Sequence, residues 1–131
     1  MNRFHLLALS SAVALASSAC IVQTTTNQSP GTFELDWTIN GGTSPSLCTQ
    51  SASANISLTL SRGGSNVGTY TSACANFATY VDGLQPGTYT WSAKLVDAGG
   101  TARTTTASNT VTIYANQREI VPVDFPPSSF F

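Results

Sequence analysis

Glu34 and Asp36 stand two residues apart in Glu34-Leu35-Asp36. On a β-strand that spacing puts both carboxylates on one face, about 7 Å apart. Glycoside hydrolases use a carboxyl pair at comparable separation. Strand alternation, however, turns both acids away from Phe33, Leu35 and Trp37, toward the solvated side. They read as an outer strand face, with a carboxylate-dependent hydrolase as the remote alternative. The only histidine is His5, near the start of 131 residues. The chain beyond it therefore has no base for a Ser-His-Asp or Cys-His site and no imidazole for most zinc sites. Asp82 and Asp97 fall in Gly-containing turns and are candidate calcium oxygens. Neither lies in a ligand-rich loop, so both read as turn residues. The glycines of Arg62-Gly63-Gly64-Ser65-Asn66 and Asp97-Ala98-Gly99-Gly100 suit hairpins rather than phosphate loops. The expectation is a non-enzyme with no catalytic residues, no metal and no cofactor. The net charge is -1 with no basic patch, which argues against a nucleic-acid partner.

Tyr70, Tyr80 and Tyr114 are the candidate ligand-binding residues, expected to point outward on neighbouring strands. Rigid, amphipathic rings of this kind stack on sugars or on protein partners. A carbohydrate-binding module is thus the alternative to a structural or protein-interaction module. The chain ends Pro126-Pro127-Ser128-Ser129-Phe130-Phe131. Outer-membrane barrels commonly end in Phe. The paired prolines interrupt any final spanning strand, and the strands are too short and Ser/Thr-rich for a lipid-facing wall.

The three cysteines are Cys20, Cys48 and Cys74. Residues 1–19 read as a signal peptide. Arg3 carries the positive charge, Leu6–Leu15 is an apolar run too short to span a bilayer, and small residues follow up to Ala19. Signal peptidase I would accept Ser17-x-Ala19 and release a secreted protein. The stretch Leu15-Ala16-Ser17-Ser18-Ala19-Cys20 resembles a bacterial lipobox, with Ser17 where Leu is commonest. That resemblance implies lipidation at Cys20 and membrane anchoring. Cysteine parity supports it: with Cys20 acylated, Cys48 and Cys74 form one disulfide and no thiol is left over. Residues 20–30 then read as a lipidated N-terminus and polar tether.

These groups need a scaffold, expected over residues 31–131. The period is two throughout. Phe33, Leu35, Trp37 and Ile39 alternate with polar residues, as do Ile56, Leu58 and Leu60, and Tyr89, Trp91, Ala93 and Leu95. Val111 and Ile113 continue the pattern. Thr101–Ala107 reads as a short polar edge strand, and Pro122 marks Arg118–Phe125 as an edge strand or a bulge. No helical period runs over ten residues. Seven or eight short strands with Gly- or Pro-bearing turns predict an all-β, antiparallel two-layer sandwich. Charged residues are only 8% of the chain, well below the usual quarter. Thr and Ser take over the wet faces, as suits an extracytoplasmic β-protein.

The segments Gly31–Gly42, Gly83–Gly100 and Ile120–Pro126 resemble small bacterial envelope lipoproteins of the kind abundant in myxobacteria. Leu84-Gln85-Pro86-Gly87-Thr88-Tyr89 also resembles the Pro-Gly-x-Tyr turn of immunoglobulin-like, fibronectin type III and transthyretin-like sandwiches. The resemblance implies a fold and a place, the outer membrane, since Ile21 rather than Asp follows Cys20. It implies an envelope protein or glycan as partner and carries no active residues.

Overall fold

The computed structural model describes residues 27–131. The expected signal peptide, Cys20 and most of the expected tether lie outside them. Seven strands form two packed sheets: β1 (Gly31–Ile39), β2 (Asn55–Arg62), β3 (Ser65–Ala73), β4 (Ala78–Leu84), β5 (Gly87–Val96), β6 (Ala107–Ile113) and β7 (Arg118–Phe125). One sheet has the order β4-β1-β7 and the other β3-β2-β5-β6. The chain is an all-β sandwich, as the alternation predicts.

The core is the set of inward residues read from the period. Phe33, Leu35, Trp37 and Ile39 from β1 meet Ile56, Leu58 and Leu60 from β2 and Tyr89, Trp91, Ala93 and Leu95 from β5, all buried. Each fully buried apolar side chain of this size contributes about 1.5–3 kcal/mol. A one-residue slip of β1 would turn all four of its anchors outward, which holds the register firmly.

One pairing departs from the expected antiparallel pattern. β7 runs parallel to β1, from Thr32↔Arg118 to Ile39↔Phe125. The other ladders are antiparallel. In immunoglobulin sandwiches the first strand lies on the sheet edge beside the second. Here the last strand fills an edge beside β1, after crossing from the other sheet, and arrives in the same direction. Pro122 sits on this edge strand, where a missing ladder donor is tolerated. Phe125 at its end is 1% exposed and seals the core.

The turn before β5 carries a hydrogen bond of the tyrosine-corner kind. Tyr89 donates its hydroxyl to the Gln85 carbonyl at 2.7 Å. Arg62 Nη2 donates to the Pro86 carbonyl at 2.9 Å, and its guanidinium lies 5.4 Å from the Tyr89 ring centre. Gly87 has φ +147°, and a Cβ there would run into that guanidinium.

Thr101–Ala107 is not the expected edge strand. Thr104 turns inward, 1% exposed, and its Oγ1 accepts the Leu95 N–H at 3.0 Å. A side chain thus replaces the ladder bond that a strand would have made.

Cys48 lies in a short helix, α1 (Pro45–Gln50), between β1 and β2. Cys74 opens a 3-10 turn (Cys74–Asn76) between β3 and β4. The two are bonded, with Cα atoms 6.0 Å apart, inside the range a disulfide spans. Trp37 Nε1 donates to the Cys74 carbonyl at 3.1 Å. The loop so closed separates residues 26 apart. A Cys48→Ser, Cys74→Ser double variant is expected to lose about 3–4 kcal/mol in urea unfolding while its far-UV β-sheet spectrum persists. Tyr89→Phe is expected to cost about 1 kcal/mol in the same assay.

Candidate functional site

The outer face of β4-β1-β7 is where polar chemistry gathers. Inward Phe33, Leu35 and Trp37 leave Thr32, Glu34, Asp36 and Thr38 of β1 facing out, and the ladders set their neighbours. Glu34 pairs with Tyr80 on one side and Ile120 on the other; Asp36 pairs with Ala78 and Pro122; Thr38 pairs with Asp124. Paired residues share a face. Glu34, Asp36 and Asp124 therefore project from this sheet, and a hydrogen bond from Thr32 adds Asp82. They are four of the chain's six acids, with Arg118 the basic residue among them.

The Glu34/Asp36 pair is less solvated than its sequence pattern implies. Arg118 Nη1 lies 3.2 Å from Glu34 Oε2, and the Glu34 side chain is only 15% exposed. The same guanidinium reaches within 5.8 Å of the Tyr80 ring centre. Glu34 is thus roofed between β7 and β4. Asp36 Oδ1 is enclosed and accepts no hydrogen bond. Flanking strands cover the acids, which the sequence of β1 alone does not reveal. The signal was in β7, whose outward positions Ile120 and Pro122 are apolar.

Beside these acids runs a cleft of about 500 Å³, lined by Asp36, Thr38, Phe77, Ala78, Pro122 and Asp124 among others. Its upper wall is ordered by Asp124. Thr38 Oγ1 donates to Asp124 Oδ1 at 2.6 Å, and the Gly41 N–H donates to the same oxygen at 2.9 Å. These bonds, the Thr38 hydroxyl first, hold the carboxyl below the ordinary aspartate value of 3.8. Asn40 and Gly41 both take positive φ, the turn geometry that aims the Gly41 N–H at Asp124.

The other candidates disperse. Tyr70 lies in β3, in the opposite sheet, and packs partly buried against the core. Tyr80 is 61% exposed in β4, and Tyr114, 53% exposed, follows β6 at the turn into β7. The three do not form the expected outward row, because β3 and β4 belong to different sheets and Tyr70 shares the inward face with its partner Leu58. Asp82 accepts a bond from Thr32 Oγ1 at 2.7 Å. Asp97 Oδ1 accepts the N–H groups of Gly99 and Thr101, each at 2.9 Å, and closes its own turn. Among the described residues no three His, Cys, Asp or Glu side chains lie close enough to share a metal ion.

The opposite outer face is chemically different. Thr69, Thr59, Ser92 and Ser108 form one row across β3-β2-β5-β6. Thr59 and Thr69 hydroxyls are 3.1 Å apart. Lys94 is the charge on that face.

Compared with known proteins, the chain matches no protein-family model and shows no significant similarity to a curated protein.

The lowered Asp124 pKa has a defined linkage. Its bonds stabilise the fold above the unfolded value, and that contribution disappears as pH falls through the folded pKa. Thr38→Val is expected to raise the Asp124 pKa in a carboxyl NMR titration. The stability gap between wild type and variant should narrow in urea melts taken from about pH 5 down to about pH 2.

Proposed function

We propose that this protein is a lipid-anchored, non-catalytic module of a bacterial cell envelope, whose sandwich acts by binding another envelope component. The observation that carries the reading is the Cys48–Cys74 bond. Of three cysteines, it leaves Cys20 outside any intrachain disulfide. Cys20 directly follows an apolar run and small residues, where a lipobox cysteine belongs. A disulfide also suits an exported domain.

Two or more acyl chains hold a protein stably, whereas one holds it marginally. Acylated Cys20 would carry at least two. Residues 21–30 would then link the anchor to β1, a connection too short to carry the domain far from the bilayer. Ile21 after the anchor supports the outer membrane. Among the described residues no helix is long and apolar enough to cross a membrane. The binding part of the reading is supported by the exposed Tyr80 and Ile120, 61% and 57% accessible, which flank Glu34 beside the cleft. Aromatic and aliphatic side chains next to anchored charges are typical of interface centres.

Anchoring is tested by expressing Cys20→Ser in a bacterial host fed labelled palmitate. Wild type should carry the label and sediment with membranes. The variant should lose the label and leave the membrane fraction or stall unprocessed. A variant that is fully processed yet still sediments with membranes would sink the anchor.

A further inference from the structure

We infer that the cleft over Asp36 and Asp124 docks an extended protein segment carrying Lys or Arg at alternate positions. The inference deepens the binding reading above and rests on it.

Charge comes first. Arg118 engages Glu34, and no other ion pair forms among the described residues. Asp36 and Asp124 therefore face the cleft without a basic partner. Asp36 Oδ1 accepts no hydrogen bond although it is enclosed. An enclosed carboxylate oxygen without a donor is unfavourable, and a cation in the cleft relieves it when the carboxylate turns toward it. Both hydrogen bonds from Thr38 and Gly41 go to Asp124 Oδ1, fixing the direction of that carboxylate.

Spacing selects the kind of cation. Asp36 is level with Pro122, and Asp124 is level with Thr38 one row further along. The two residues are thus diagonal neighbours on adjacent strands, their backbone positions about 7–8 Å apart by sheet geometry. Same-side side chains of an extended segment repeat at about 6.6–6.8 Å. Two cations at positions i and i+2 match that interval. One small metal ion does not, since the described acids offer no group of three around a point.

The lining fits the stems of such residues. Phe77, Ala78 and Pro122 give the cleft an apolar floor on which Lys and Arg methylenes lie while their heads reach the carboxylates. The next row presents Ile120 and Tyr80, both exposed. A segment that continued along β1 would place its i+4 side chain over them.

The test uses the full chain in detergent and a fluorescein-labelled hexapeptide of alternating Lys and Val, read by anisotropy. Binding should be saturable and weaken with added salt. Asp36→Asn and Asp124→Asn should each weaken it by about fivefold, the scale of a partly exposed ion pair. Asp97→Asn, in the turn after β5, should bind like wild type. Asp124→Asn removes a structural acceptor, so Asp36→Asn carries the test if the former melts early. Equal binding by the Asp36→Asn, Asp124→Asn double variant would overturn the site. So would equal binding of a Glu-Val peptide, absence of binding, or displacement by micromolar calcium or spermine, which would mark a small-cation site instead. Membrane fractionation of Cys20→Ser reads the anchor separately. Peptide failure with intact anchoring removes only this inference.

Discussion

Trp37 is where the constraints of this fold meet. It stands on β1, the central strand of the smaller sheet, 1% exposed. An indole that deep needs a partner for its N–H, and the Cys74 carbonyl supplies it. That carbonyl is in place because the disulfide ties the turn after β3 to α1. Phe77 follows in a left-handed conformation, φ 54°. Its carbonyl accepts the Trp37 N–H at 3.0 Å, and its ring lies 6.2 Å from the Trp37 indole, tilted. One buried aromatic is thus held by a covalent link, a side-chain bond and a backbone bond at the same end of the sandwich. The crosslink spans a stretch in which β3 buries little of itself, its residues being mostly exposed. Covalent closure compensates there for hydrophobic area that the strand lacks.

The cleft is built on the same strand and inherits its rigidity. Phe77 packs against Trp37 on one side and lines the cleft on the other. Asp36 and Thr38 flank Trp37 in sequence and share its fixed backbone. The connections add the Gly41 N–H, Thr43 and Phe77. A surface so placed keeps its carboxylates at ladder spacing. The two outer faces also divide the labour of solubility. Ser and Thr cover the larger sheet, while most of the acids crowd the smaller one. With few charges overall, this asymmetry rather than the net charge of -1 defines the electrostatic character of the surface.

Much of this was legible in the chain. The alternation in β1, β2 and β5 names the buried residues because a strand's side chains flip with every step. Parity names the disulfide because only one pairing remains once Cys20 is set aside. The Pro-Gly-x-Tyr turn names the corner, and Pro122 names an edge. Where the reading failed, it failed for non-local reasons. Thr104 sits in a run of threonines with no apolar neighbour to signal burial, and its inward place is set by the Leu95 N–H and the bridge to Phe130. Tyr70 and Tyr80 look alike in sequence, yet the chain changes sheets between them.

The sequence by itself determined the sandwich class and the inward set, since period is local, and it pairs Cys48 with Cys74 only if the lipobox resemblance sets Cys20 aside. Tertiary structure alone decided that β7 lies parallel beside β1. No period in Arg118–Phe125 states a direction or a neighbour, and the choice rests on the crossing from β6 and on Phe125 finding a place in the core. That one pairing brings Arg118 over Glu34 and Asp124 beside Thr38. It turns two acids that look solvated in sequence into the wall of a cleft. Residues 86 positions apart meet only through a sheet ladder, and a ladder partner is chosen by the whole packed core.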